Sequence, residues 1–409
     1  MKKLLSLIVA SVVLCAALFT GCASGASENA EGGSASASGG DFTVGAIYIN
    51  SQNDTAGYTY AHHQGIIKAM EALGLSPSTD LKIIDNVPED DEQVRTAIEQ
   101  LAGQGCNIIF GISFGYLTAF SEAAEEYPDI VFCHATGYLS NETNFNNYFG
   151  RIYQARYLAG IAAGYKSLET GNNDIGYVSA WGTEYAETCS GINAFALGAQ
   201  SVNPDAVVHV DQISDWGNQE LERQAAEVLV SSYNCGVIAQ HCDSAQPQIV
   251  AQEQGVYGCG YNSDMANEAP DAHLTAPVWN WDVFYKLAIE TAMNEDSASE
   301  FVTNIGGNYY GGLAEGMVDI SPLTDNNAPE ASEAIEIARD LMVSGQWDVF
   351  SGTALVFSGE EGSVTVEQVS RDLMDNEGQI IVGAGEGSVD DSVIQGSMNY
   401  YVAGVVAES

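Results

Sequence analysis

Ten residues of this chain have the side-chain types that hold a small ring-shaped solute. Tyr58, Phe114, Tyr116, Trp181 and Trp279 are aromatic plates that can cover the face of a ring. Asp54, Ser113, Asn193, Asp243 and Asp264 offer hydrogen-bonding groups for its edge, and a carboxylate buried against an N–H or O–H discriminates strongly. The plates fall at the ends of predicted strands or in the loops after them. Asp243 and Asp264 follow predicted strands closely, whereas Asn193 lies inside a predicted helix. Each position has a second reading. Tyr58 also suits a helix start, Phe114 the core beneath its loop, and Trp279 a packing position between lobes. Asp54, Asp243 and Asp264 also suit helix caps. Plates with polar edge groups serve a neutral heterocycle or a sugar.

Other constellations give no reactive chemistry. His62 and His63 stand near Asp54 in sequence, but adjacent helical residues point about 100° apart and do not share one ion. His241-Cys242-Asp243 places a thiol between two partners, yet consecutive residues diverge and no oriented base or oxyanion site accompanies them. The chain contains no Gly-x-Ser-x-Gly elbow and no Walker motif. The expectation is reversible binding without turnover, metal or cofactor.

Short β-rich runs alternate with helical segments from residue 42 onward. Strands are predicted at 42–49, 81–87, 107–112 and 130–134, with helices at 60–73, 91–101 and up to about 127. The pattern restarts after Arg151, with a helix at 153–166, a strand at 174–179 and a helix at 185–201. Further strands follow at 207–213, 235–239 and 257–261. Such alternation specifies parallel sheets covered by helices. The expected fold is α/β, two lobes of parallel sheet flanked by helices, with a ligand cleft at the strand C-termini. Lobe 1 is expected to span 41–150 plus about 277–310, and lobe 2 to span 151–276 plus about 311–409. The stretch 331–343 reads as a helix, and 358–385 as a strand, a helix and exposed loops.

Residues 1–21 read as a secretory leader: Lys2 and Lys3, then an apolar run to Phe19 that is too short to span a bilayer. Cys22 after Gly21 is the expected lipidation site. Residues 22–40 are dominated by Ala, Ser and Gly, a flexible tether reaching about 25 Å. The expected location is the extracytoplasmic face of the cell membrane, held by lipid. Lys and Arg number 12 against 55 Asp and Glu, for a net charge of −43. That excludes a nucleic-acid footprint and disfavours phosphorylated ligands. Six cysteines (106, 133, 189, 235, 242 and 259) follow or sit inside apolar runs, form no C-x-x-C pair, and leave disulfide pairing open.

Several stretches resemble one family. They include Ser113-Phe114-Gly115-Tyr116, His134-Ala135-Thr136-Gly137-Tyr138, and Tyr148-Phe149-Gly150-Arg151-Ile152-Tyr153 running into Ala155-Arg156-Tyr157-Leu158-Ala159-Gly160. Further along are Gly191-Ile192-Asn193-Ala194-Phe195, Ser201-Val202-Asn203-Pro204-Asp205, Ile238-Ala239-Gln240-His241, Trp279-Asn280-Trp281 and Met398-Asn399-Tyr400-Tyr401. Together they resemble the basic membrane protein family of ABC-transporter lipoproteins, which includes purine-nucleoside receptors. The resemblance implies a type I periplasmic-binding fold, an ABC permease and ATPase as partners, and capture of a small neutral solute. The nucleoside branch has Asp-x-Ser-Phe-Asn after the first strand, where this chain has Asn53-Asp54-Thr55-Ala56-Gly57-Tyr58. That branch also has a Lys after the strand that here precedes Trp279, and this chain has none there. The loop is similar to that of a second branch, which usually has Gly-Trp where this chain has Gly57-Tyr58 and which looks like a binder of free purine bases. The missing Lys removes a ribose-hydroxyl contact, and the resemblance thus implies free purine bases ahead of nucleosides. A sugar-binding protein of the same fold, and a ligand-sensing receptor, are the competing readings.

Overall fold

The computed structural model describes residues 42–55, 57–295 and 297–408. The expected leader, the tether and Cys22 lie outside them. Five strands come first: β1 (Val44–Tyr48), β2 (Leu81–Ile84), β3 (Ile108–Ile112), β4 (Val131–Ala135) and β5 (Phe145–Gly150). Five more follow: β6 (Asp174–Ser179), β7 (Val207–Gln212), β8 (Val237–His241), β9 (Tyr257–Cys259) and β10 (His273–Thr275). The remainder are β11 (Pro277–Trp279), β12 (Asn308–Gly311), β13 (Val318–Ile320), β14 (Thr353–Ser358), β15 (Thr365–Ser370), β16 (Leu373–Met374), β17 (Ile380–Val382) and β18 (Val405–Ala407).

Two six-stranded sheets carry the fold, in the orders β12-β5-β4-β3-β1-β2 and β10-β9-β8-β6-β7-β18. The pairings within both are parallel. Strands β1, β3 and β4 are buried along their whole length, because a parallel sheet covered by helices has no wet face. The chain passes between the sheets three times: after β5, after β10 and after β12. An antiparallel ribbon of β11 and β13 lies along the last two passages.

Some helices begin at side-chain caps. Asp90 accepts the Gln93 N–H at the start of Asp91–Gly103. Asn218 accepts the Leu221 N–H at the start of Gln219–Tyr233, and both are side-chain N-caps. The helices Ile152–Thr170 and Ala186–Val202 cross in close contact. At this crossing, a β-carbon on Gly160 would stand 2.2 Å from the Phe195 carbonyl oxygen, and one on Gly198 would stand 2.1 Å from that of Tyr157.

The alternation of strands and helices is as the sequence led one to expect, and three details differ. Strand β5 is polar in part (Asn146, Asn147), which hid it. Those asparagines are buried and bond Gly306 and Asn308 beside the sheet. Strand β8 begins and ends two residues later than expected, with Gln240 and His241 paired to β6. Residues 353–382 form two hairpins, β14–β15 and β16–β17, with no helix between them. All six described cysteines are buried free thiols.

Candidate functional site

The loop after β1 and the loop after β8 meet across the two sheets. Gly57 opens the helix Gly57–Ala72 at φ +82°, a left-handed conformation that favours glycine. A β-carbon there would stand 3.4 Å from that of Asp243. Gly57 thus brings a helix N-terminus against a carboxylate of the opposite lobe. The Tyr58 N–H is directed at that carboxylate, an arrangement that helix dipole and unpaired N–H both favour.

Asp243 is the electrostatic centre of this contact. Asn262 Nδ2 donates to its Oδ1 at 2.8 Å. Burial, followed by the negative charge of Glu222, lifts its pKa to about 7. The Tyr58 hydroxyl is buried without a hydrogen-bond partner. Thr136 lies beside it, but its hydroxyl donates to the Ala135 carbonyl. Asp243, Glu187 and Glu89 all face Tyr58 closely enough to oppose its ionisation, which burial already disfavours. One aromatic ring therefore stands among three acceptors drawn from both lobes.

Backbone strain marks the same edges. Five described residues other than glycine have positive φ, and four of them follow strands of the two sheets: Asn86, Thr136, Ser214 and Asn262. A β-branched residue such as Thr136 at φ +64° is a true outlier. Strain of this kind collects at ligand-contacting loops.

The ten expected site residues divide. Tyr58 and Asp243 come together as described. Ser113 is buried and donates its hydroxyl to Glu89 Oε1 at 2.5 Å, and the same oxygen accepts the Gly115 N–H. Phe114 is 51% exposed and faces Tyr138 at 6.5 Å. Trp181 is half-buried and packs on Tyr185 at 5.2 Å, with its indole N–H unpaired. Asp54 sits in the loop before the first helix, and its carboxylate bonds to nothing among the described residues.

Four assignments need correction. Tyr116 is fully buried in the first lobe's core, where its hydroxyl donates to the Val87 carbonyl, so it is no plate. Asn193 is fully buried and spends both ends of its amide on Tyr400 and Val402. Asp264 is exposed and accepts the Ala266 N–H, a local turn contact. Trp279 stacks on Trp281 at 4.5 Å and donates its N–H to Tyr261 at 3.1 Å, which makes it the packing residue between lobes rather than a free plate. The paired histidines have separate partners: His62 bonds Tyr285 and stacks on Trp281, and His63 bonds Tyr48.

The sequence reading passed over Glu89, Arg156, Glu187, Tyr261 and Asn262, and it set His241 aside. Arg156 is 1% exposed on the helix Ile152–Thr170, with its guanidinium 4.0 Å from the centroid of the Tyr261 ring. Glu187 opens the helix Ala186–Val202, and its Oε1 lies 3.0 Å from His241 Nε2. The available signal was a lone Arg inside an apolar helix, a charge that is seldom buried without a task.

Two parallel α/β lobes with their strand ends opposed across a polar, aromatic seam define a two-lobed substrate-binding protein. A solute-binding protein of an ABC transporter system from Conexibacter woesei has this fold, with a TM-score of 0.61 at 17% identity over 75% of this chain and 98% of that one. Residues 42–349 match the family model described as ABC transporter substrate-binding protein PnrA-like, and the chain belongs to that family. The resemblance read from the motifs is thereby confirmed, and with it a role in transport that involves no catalysis. Two of the relatives that cover most of the chain exceed 30% identity. A purine-binding protein of Brucella abortus is 33% identical over 88% of this chain and 92% of its own length. A protein of Haloferax volcanii, provisionally named an ABC transporter glucose-binding protein, is 34% identical over 82% and 80%.

Proposed function

We propose that this protein captures a free purine base at the seam between its lobes and delivers it to an ABC permease and ATPase. The observation that carries this reading is the Tyr58 ring, with its unpaired hydroxyl, set among Glu89, Glu187 and Asp243. A flat heterocycle needs one stacking surface and acceptors for its N–H groups, and this seam has both. The purine-binding relative from Brucella abortus supports it. Lobe 1 (41–150 with about 277–310) closes on lobe 2 (151–276 with about 311–409) around the base. Cys22 carries the lipid that holds the body at the extracytoplasmic face of the membrane. Among the described residues, no helix is long and apolar enough to cross a membrane.

A sugar is the second reading, favoured by the relative from Haloferax volcanii. Calorimetry of the protein with adenine, guanine, hypoxanthine, adenosine, inosine, ribose and glucose separates the two. One-to-one binding of a base, with a raised melting temperature, is expected. Tyr58→Ala should weaken it by about tenfold or more, since a stacked aromatic contributes roughly 1 kcal/mol beyond its buried area. Saturable binding of glucose with none of any base overturns the purine assignment.

A further inference from the structure

Four polar atoms of buried side chains stand unpaired around one point of the second lobe: Arg156 Nε and Nη2, His241 Nδ1 and the Tyr177 hydroxyl. Beside them, His241 Nε2 lies 3.0 Å from Glu187 Oε1. Folded proteins pair nearly all such groups. A guanidinium carries five N–H donors, and here Nη1 alone has a partner, the Gln240 carbonyl at 2.6 Å. The arrangement is tight as well as unpaired. A β-carbon on Gly191 would stand 3.3 Å from both Arg156 Nε and His241 Nδ1.

The cluster has a direction. Arg156 and His241 are sealed, at 1% and 0% exposure. The Glu187 side chain keeps 20% and is the member that faces outward. It lies 3.0 Å from His241, the last residue of β8 and a close neighbour of Asp243 in the chain, and its charge acts on Tyr58 and Asp243. Its charge also acts on Tyr177, Tyr261 and Tyr310. Burial works to neutralise this carboxyl, but His241 and then Arg156 hold it below the usual carboxylate range.

We infer that Glu187 is a specificity-determining ligand contact that reads a base bearing a ring N–H beside an exocyclic amino group, and that Arg156 is the positioning residue that keeps it ionised. An ionised carboxylate only accepts, and its two oxygens match two adjacent donors. Guanine presents such a pair at N1–H and N2–H₂. Hypoxanthine lacks the amino group, and adenine lacks the ring N–H at that edge. Asp243 and Glu89 add further acceptors, so the seam as a whole favours the base richest in donors. The inference rests on capture of a purine base at this seam.

Equilibrium dialysis with guanine, hypoxanthine, adenine and 1-methylguanine tests it. The wild-type protein should bind guanine most tightly and 1-methylguanine, whose N1 donor is blocked, about ten- to a hundredfold more weakly. Glu187→Gln should weaken guanine by a similar factor and erase the discrimination against the methylated base. Arg156→Met should lose guanine affinity on acidification from pH 8 to pH 5.5 beyond any loss in wild type, and Arg156→Lys should follow wild type. Asp243 titrates in this window in every variant, and Arg156→Met also releases His241, whose pKa burial and then Arg156 hold down. The double variant Glu187→Gln, Arg156→Met subtracts both and leaves the part due to Glu187. Unchanged guanine affinity and discrimination in Glu187→Gln overturn the ligand contact. An Arg156→Met profile parallel to wild type overturns the positioning role. If the Met variant does not fold, Glu187→Gln and the Lys variant still decide the matter. A wild-type protein that binds none of the four bases overturns the purine reading and this inference with it.

Discussion

At the scale of the residue, position in the chain told less than the partners that folding supplied. Asp243 was singled out because it lies just after a strand and Tyr58 because it follows the loop after one, and strand ends of open α/β sheets bind ligands. Tyr116 was misread, because the same loop sends Phe114 outward and Tyr116 into the core. Asn193 was ambiguous because its helix is buried on nearly every side, and only the fold shows which backbone it bonds. Glu187, Arg156 and His241 lie far apart in sequence and become a group only in three dimensions. The elevated pKa of Asp243 has a consequence at this scale. A carboxyl whose value rises from 3.8 to about 7 on burial favours the folded form most at low pH, and that advantage is lost as pH rises through about 7. The melting temperature should therefore fall between pH 5 and pH 7.5 more in wild type than in Asp243→Asn, as thermal unfolding across that range will show. Equal slopes would mean that Asp243 titrates as if in water.

At the scale of the element, the strands and helices were readable because parallel sheets demand unbroken apolar runs and helices announce themselves by period and cap. Strand β5 escaped because its asparagines read as loop until Gly306 and Asn308 take up their amides. The hairpins at 353–382 escaped because antiparallel ribbons with exposed faces mix Gly, acids and short apolar pairs, a pattern without a clear period. The helix crossing at Gly160 and Gly198 carries its own prediction. Gly198→Val puts a branched side chain where a bare β-carbon already stands 2.1 Å from a carbonyl oxygen. The two helices must separate, at a cost of about 3 kcal/mol, the upper end for overpacked cores. Denaturant unfolding of that variant should show a midpoint well below wild type. A shift within error would mean that the crossing is soft.

At the scale of the whole molecule, the two-lobed plan was visible in the restart of the α/β pattern after Arg151. Two long-range ties hold the late segments in place. Arg151 pairs with Asp391 at 2.6 Å. His209 bonds Glu408 at 2.7 Å on one side and Asp174 at 2.8 Å on the other. Burial opposes a charge on His209, but these bonds outweigh it and raise its pKa above 6.5. The tie is fully present below about pH 6.5 and is lost as pH rises through the raised value. Wild type should melt above His209→Gln at pH 5.5, and the gap should narrow by pH 8.5. A gap that is constant with pH would show that the imidazole acts by packing alone. Strand β18 also sets the order of events in synthesis. Residues 405–407 complete the second sheet against β7, which was made some two hundred residues earlier. Until they arrive, β7 keeps an open, sticky margin of the kind that recruits other chains, and a ribosome that stops short releases a product with that margin exposed.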